Sequence, residues 1–144
     1  MAAGRVARAQ ISEAPLDIAA HHAAVESPET GAVVTFVGQV RNHSPDAAGE
    51  VVRLEYVGHP DIAAAIPALA AEVAANFDGE TLAVSHRTGV LAVGDAAICV
   101  AAGAAHRDEA FAACRELLEV VKARLPIWKK QVLRDGSHTW VGSA

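Results

Sequence analysis

Apolar and polar positions alternate in several short stretches of the chain, a pattern that predicts β-strands. The clearest stretch is GAVVTFVGQV, residues 31–40, a run of β-branched residues bounded by glycine. Weaker patterns predict further strands at 5–12, 51–57, 81–87 and 95–104, the last two joined through the sequence VGD. Residues 127–134 and 138–141 are predicted to close the chain as a hairpin around Asp135 and Gly136.

Three segments predict helices: residues 15–25 and 60–77, each with a proline at its start, and residues 106–125, which end before Pro126. A kink is expected at Pro67 within the second. In segment 106–125, apolar residues recur at the spacing of one helix face. This predicted face consists of Phe111, Cys114, Leu117, Leu118 and Val121. Between the strands, the polar segment 41–50 predicts a mobile loop.

The order of elements is strand, helix, two strands, helix, two strands, helix, two strands. Pairs of strands between helices favour an α+β fold with mostly antiparallel pairing over a parallel, doubly wound sheet. The 144 residues suit one domain, 1–144, and 52% of them are hydrophobic, which is typical of a globular chain. No apolar run reaches the length of a membrane span and the N-terminus lacks a secretory pattern, so a cytoplasmic location is expected.

Charge is distributed unevenly along the chain. The formal net charge is −5, but residues 1–114 carry −8 (six basic, fourteen acidic) and residues 115–144 carry +3 (six basic, three acidic). An acidic total argues against broad nucleic-acid binding, which needs a cationic face. A local cationic pocket for a small anion fits the distribution better.

Lysine is confined to one segment. Of twelve basic residues nine are Arg, and the three lysines, Lys122, Lys129 and Lys130, fall within nine positions. Arg is a permanent cation, whereas Lys can lose its proton when it is desolvated or crowded, and can then act as an acid, base or nucleophile. The lysine segment therefore predicts chemistry as well as charge.

Each candidate group also has a structural interpretation. Arg41 follows a strand, and it could be simply solvated. His106 and Arg107 stand where a strand passes into a helix, which is a natural anion site, yet the acids that follow Arg107 could be the partners of these two residues. Lys122 near the end of the same helix is also favoured by the helix dipole. Lys129 and Lys130 should point to opposite faces of their strand, so one of them should be ordinary surface.

Familiar motifs for nucleotides, nucleophilic serine and metals are absent. The adjacent His21 and His22 would point in different directions on a helix and have no third ligand nearby in sequence. No metal site is predicted there.

Four blocks in register, GAVVTFVGQVRNH, HRTGVLAVGD, AAHRDEAF and VKARLPIWKKQ, resemble the large, catalytic subunit of molybdopterin synthase. The resemblance covers about residues 31–141 and leaves residues 1–30 as a variable N-terminus. It implies an α/β-hammerhead fold and conversion of a cyclic pyranopterin monophosphate (precursor Z) to molybdopterin. Two sulfurs would come from the thiocarboxylated C-terminus of a small ubiquitin-like subunit, in a heterotetramer with a homodimeric core and no cofactor.

Position by position, the resemblance implies that Lys122 and Lys129 are catalytic. It implies substrate binding by a second set: Gln39, Arg41, His106, Arg107, Lys130 and Gln131. Gln39 and Gln131 depart from the family pattern, which often has a lysine at the first position and an acid at the second, so their participation as charged groups is not expected.

Two further expectations follow from the residues. His106–Arg107 and Lys122 would lie about 22 Å apart along one helix, so a shared site needs a second copy of the chain. Trp128 is expected either beside the docking surface of the small subunit, with Ile127, or in the core. A non-catalytic module that binds an anionic nucleotide-like ligand or an acidic peptide tail is the alternative function.

Overall fold

The computed structural model describes residues 3–142, and this part of the chain forms eight strands and three helices. The strands are β1 (Arg5–Ser12), β2 (Ala32–Gln39), β3 (Val51–Gly58), β4 (Thr81–Arg87), β5 (Gly89–Ala92), β6 (Ala96–Ala104), β7 (Ile127–Leu133) and β8 (His138–Gly142). The helices are α1 (Ile18–Ala24), α2 (Ile62–Ala74) and α3 (Arg107–Arg124). No helix in residues 3–142 has the length and apolar character needed to cross a bilayer.

Two four-stranded sheets organise the fold. The first has the order β1-β4-β6-β2 and the second the order β5-β3-β7-β8. Within residues 3–142, β1 and β4 form the one parallel pair of neighbouring strands in these sheets, and the other pairs are antiparallel. The prediction of an α+β fold with mostly antiparallel strands is confirmed, as is the C-terminal hairpin, whose turn residue Gly136 has a φ of 88°.

Strand β5 was not predicted. Residues 89–92 leave the first sheet after β4 and pair with β3 in the second sheet before the chain returns as β6. The strand has only four residues, and Leu91 alone is buried, so its alternation is too short to identify in the sequence. Gly89 has a φ of 97°, which favours glycine at the point where the chain changes sheets.

The long helix α3 is confirmed, and it ends at Arg124, two residues before Pro126. Its buried face differs from the predicted one because small residues contribute to it: the buried residues are Ala110, Ala113, Cys114, Leu117 and Val121. The prediction that Phe111 belongs to the buried face of the helix was wrong, since this side chain is 62% exposed.

The two shorter helices start later than predicted. Helix α1 begins after Asp17, whose carboxylate accepts a hydrogen bond from the Ala20 amide at 3.0 Å. This N-cap, rather than Pro15, sets the start of the helix. Helix α2 continues through Pro67.

The main core lies between the first sheet, helices α2 and α3, and the inner face of the second sheet. Helix α1 covers the opposite face of the first sheet, where Val25 packs against Ala83 and Ala101. After α3 the chain turns at once into β7, and the Pro126 carbonyl accepts a hydrogen bond from the His59 amide at 2.9 Å. The last turn of α3 is thereby placed beside the first residues of β7, where the two sheets meet.

Candidate active site

A cavity of about 260 Å³ lies at this junction. Residues from seven different segments line it: the end of β2, the loop after it, β3, β4, β6, the last turn of α3, and β7. Its polar lining includes Gln39, Arg41, Ser44, Asp46, His86, Lys122, Lys129 and Gln131. Five of the eight predicted site residues, distant in sequence, therefore come together at one cavity.

The position of Arg41 follows from the way β2 ends. The Val40 amide donates to the Asp95 carbonyl at 2.9 Å, and the Val40 carbonyl accepts from the Gly94 amide at 2.7 Å. These bonds tie the end of β2 to the turn before β6. Arg41 follows immediately and lines the cavity.

Alternation along β7 separates the two neighbouring lysines. Lys129 and Gln131 line the cavity, whereas Lys130 does not and lies opposite Glu55 on one side and Trp140 on the other. Successive side chains of a strand point to opposite faces, so the prediction that the two lysines would diverge is confirmed. The structure does not bring Lys130 to the cavity.

Gln131 holds the loop that closes one side of the cavity. Its side chain is buried; Nε2 donates to Ser44 Oγ at 3.0 Å and Oε1 accepts from Thr139 Oγ1 at 3.4 Å. The same loop is tied again at Glu50, whose carboxylate accepts from Arg134 Nε at 2.6 Å. The predicted loop at 41–50 is thus present and anchored on the second sheet.

The cavity is cationic although the chain is acidic. Arg41, Lys122 and Lys129 line it against one carboxylate, that of Asp46. Burial lowers the pKa of Lys129, and the charges of Lys122 and Arg41 lower it further, while Asp46 opposes the shift. Lys129 therefore loses its proton more readily than a solvated lysine, which is the behaviour predicted for a lysine that takes part in proton transfer.

His106 and Arg107 lie elsewhere. They line a separate cavity with Gly31, Ala32 and Asp108, at the N-terminal end of α3. Helix α3 runs unbroken from Arg107 to Arg124, so about 22 Å separates Arg107 from Lys122 along its axis. Within one chain these two groups do not share a site.

Sequence reasoning missed His86 and Tyr56, which line the same cavity. The two rings pack edge to face, with centroids 4.9 Å apart. His86 shares a face of β4 with Leu82 and Val84, and a histidine among apolar core positions is the sequence signal that could have identified it.

The paired histidines have structural partners. His21 is buried in α1, with Nε2 2.6 Å from Ser85 Oγ and Nδ1 2.6 Å from the Asp17 carbonyl, and His22 pairs with Glu26 at 2.9 Å. In residues 3–142 no three His, Cys, Asp or Glu side chains are grouped as a metal site requires.

Comparisons with known sequences point to a single protein family. The sequence model of the family described as MoaE protein matches residues 11–124. Molybdopterin synthase catalytic subunit 1 of Mycobacterium tuberculosis is 38% identical over 143 residues, covering 99% of this chain and 95% of that protein.

Solved structures share the fold of this chain. The crystal structure of molybdopterin synthase from Staphylococcus aureus superposes with a TM-score of 0.85 at 27% identity, covering 93% of this chain and 96% of that one. A chain from the protein–protein complex of subunits 1 and 2 of molybdopterin-converting factor from Helicobacter pylori has the same fold, with a TM-score of 0.69 at 17% identity, covering 96% of this chain and 89% of that one.

The coupling between the cavity cations can be measured directly. Lys122→Ala should raise the pKa of Lys129 toward its usual value, because one of the charges that disfavour a second ammonium is removed. Asp46→Asn should lower the same pKa further, because it removes the one opposing carboxylate. The chain has only three lysines, so NMR titration of ¹³C-methylated side chains resolves each, and Lys130 outside the cavity is the control signal. Identical Lys129 titrations in all three proteins would contradict this electrostatic coupling.

Proposed function

The chain belongs to the MoaE protein family, and from this premise we propose that it transfers sulfur to a cyclic pyranopterin monophosphate to form the dithiolene of molybdopterin. It is a molybdopterin synthase catalytic subunit, an enzyme of molybdenum-cofactor biosynthesis, as its relatives at 35–39% identity are. The observation that carries the sulfurtransferase assignment is the convergence of Arg41, Lys122 and Lys129 on one cavity.

The charge of this cavity suits every anion in the proposed reaction. The pterin substrate carries a cyclic phosphate, the sulfur donor is a thiocarboxylate, and acyl transfer passes through tetrahedral anions. Fixed cations at the point where negative charge develops stabilise such species more than mobile solvent does. Arg41 supplies a permanent charge, whereas the two lysines can also exchange protons.

Lys122 and Lys129 have complementary parts in this proposal. One ammonium stabilises the thiocarboxylate and the tetrahedral species, while the other delivers a proton to the oxygen that leaves the substrate. The lowered pKa of Lys129 supports its part in proton transfer. Gln39 lines the same cavity as a neutral group, and Lys130 lies outside it.

The sulfur donor is a small ubiquitin-like subunit, and the complex of two converting-factor subunits from Helicobacter pylori supports such a partner. Trp128 is 42% exposed on the outer face of the second sheet, beside Val57 of β3 and two positions from Lys130. The alternative prediction, that Trp128 lies in the core, was therefore wrong. Its exposure supports a place on the docking surface of the small subunit. Ile127 is only 1% exposed, so its expected place on that surface was wrong.

A homodimeric core completes the site. Each cavity would take Arg41, Lys122 and Lys129 from one protomer and His106 with Arg107 from the other, because the unbroken helix keeps these groups apart within one chain. An isologous dimer repeats this arrangement twice. One small subunit bound to each protomer then gives a heterotetramer.

We also propose that the chain acts as a single domain and that it works in the cytoplasm. Cys99 and Cys114 are free, buried thiols, and this suits the reducing cytoplasm.

Reconstitution tests the function. The chain is mixed with a thiocarboxylated small subunit and precursor Z, and the dithiolene product is measured by mass spectrometry. We expect product in proportion to the thiocarboxylate consumed, and none when the small subunit ends in an ordinary carboxylate. Absence of product with a folded chain and an intact thiocarboxylate would overturn the assignment.

In the same assay, Lys122→Ala and Lys129→Ala should each lower turnover by at least ~10²-fold, the usual scale for lost proton transfer or oxyanion stabilisation. Lys130→Ala is the matched control and should lose far less, because Lys130 does not line the cavity. Lys122→Arg separates enzyme from binding module: a binding module tolerates the retained charge, whereas the enzyme does not. Normal turnover by both alanine variants at saturating partner would remove the lysines from the mechanism.

Subunit mixing tests the shared site. Arg107→Ala and Lys122→Ala proteins, each inactive alone, should together recover about a quarter of wild-type activity after random exchange, because half the dimers are mixed and each of these has one intact site. Mixing Lys129→Ala with Lys122→Ala is the control and should recover nothing, since both groups come from the same protomer. No recovery in the first mixture, with exchange verified by mass spectrometry, would place the whole site within one chain.

A further inference from the structure

His86 occupies a wall of the cavity that the proposed mechanism leaves unused. It lies near the end of β4, on the face of the first sheet that packs toward α2 and α3, and is only 2% exposed. Lys122 and Lys129 line the same cavity from α3 and β7. His86 is thus a buried polar group beside the predicted reacting groups.

One ring nitrogen of His86 is fixed by the backbone. Nδ1 lies 2.7 Å from the Arg87 carbonyl oxygen, and because a carbonyl can only accept, Nδ1 carries the hydrogen. Burial lowers the pKa of His86 to about 4; the charge of Lys122 lowers it as well, and the bond to Arg87 opposes the shift. Near neutral pH the imidazole is therefore uncharged, and Nε2 holds a free lone pair.

The second buried histidine, His21, has a purely structural role and serves as a comparison. His21 is 1% exposed, and both of its ring nitrogens are hydrogen-bonded, one to Ser85 and one to the Asp17 carbonyl. Within residues 3–142, His86 Nε2 has no such partner. Nor is Nε2 one of the fully buried atoms that lack a partner, so this acceptor is open to the cavity and can take a hydrogen bond from a ligand.

The ring is also held in orientation. Tyr56 packs edge to face against it with an interplanar angle of 75°, and Tyr56 itself is buried in β3. The bond to Arg87 and this contact together limit rotation of the imidazole. An acceptor whose direction is preset can position a ligand without a large loss of side-chain entropy.

We propose that Nε2 of His86 accepts a hydrogen bond from an N–H donor of the substrate's pterin ring and so orients the ring in the cavity. This inference rests on the proposed function, and it gives the polar groups of the cavity two tasks. Arg41, Lys122 and Lys129 offer only donors and positive charge, which suit the phosphate. A pterin carries amino and ring N–H donors, which need an acceptor.

A neutral acceptor suits this position better than a carboxylate would. An aspartate or glutamate beside Lys122 would pair with it and cancel charge that the phosphate and the thiocarboxylate need. Imidazole accepts a hydrogen bond without reducing the positive charge of the cavity. Asp46, the carboxylate of the lining, stands on the exposed loop rather than on the buried wall.

Binding of precursor Z measured by calorimetry, without the small subunit, tests the inference apart from turnover. His86→Phe keeps a ring but removes the acceptor, and should weaken binding of precursor Z by roughly 10- to 100-fold, since a donor would be left unpaired on the buried wall. His86→Gln can place an amide oxygen near the same point and should stay within a few-fold of wild type. Inorganic phosphate should bind all three proteins equally, because its contacts are with the cations and not with His86.

NMR of the wild-type chain with ¹⁵N-labelled histidine gives a readout that does not depend on a variant folding. Saturating precursor Z should shift the Nε2 resonance of His86, while that of His21 stays unchanged. Equal affinity of wild type and folded His86→Phe for precursor Z, or an unmoved His86 resonance at saturation, would overturn the inference. A reconstitution without dithiolene product, by contrast, would overturn the proposed function while the binding result stands.

Discussion

The antiparallel pairing of β7 with β3 is the constraint on which the site depends. In this register Lys129 lies opposite Tyr56 and Gln131 lies opposite Leu54. The cavity thereby receives Lys129, while Gln131 reaches Ser44 to anchor the loop and Tyr56 supports His86. A shift of one residue would turn Lys130 inward and Lys129 outward, because the side chains of a strand alternate with a period of two.

Cation crowding is the second feature that organises the cavity. Lys122 and Arg41 both lower the pKa of Lys129, and Lys122 also disfavours protonation of His86. The free energy that disfavours a further proton here is available to stabilise an incoming anion. The same cations thus make the cavity favourable for an anion and lower the proton affinity of Lys129 and His86.

Helix α3 acts as a rigid spacer between two cationic groups. His106 and Arg107 begin it and Lys122 lies in its last turn, with no glycine or proline between them to break it. The two groups can serve one small substrate only if another copy of the chain brings them together. Assembly is in this way a consequence of helix geometry in the proposed mechanism.

Much of this protein was determined by its sequence alone. The α+β class, the hairpin and helix α3 follow from local periodicity and from Gly and Pro positions, which act over a few residues and can be identified without tertiary contacts. The opposed directions of Lys129 and Lys130 follow from strand alternation. The confinement of lysine to 122–130 also predicted a local cationic pocket, and Lys122 and Lys129 line one.

Other features were decided only by the tertiary structure. Strand β5 exists because β3 offers it a partner, not because its four residues form a strand by themselves. Phe111 is exposed although it fits the apolar spacing, because alanines fill the closely packed face of α3. His21 and His86 are both buried histidines, and only their neighbours distinguish a fully bonded core residue from one with a free acceptor. Such differences arise from contacts between residues far apart in sequence, and a local pattern holds no information about them.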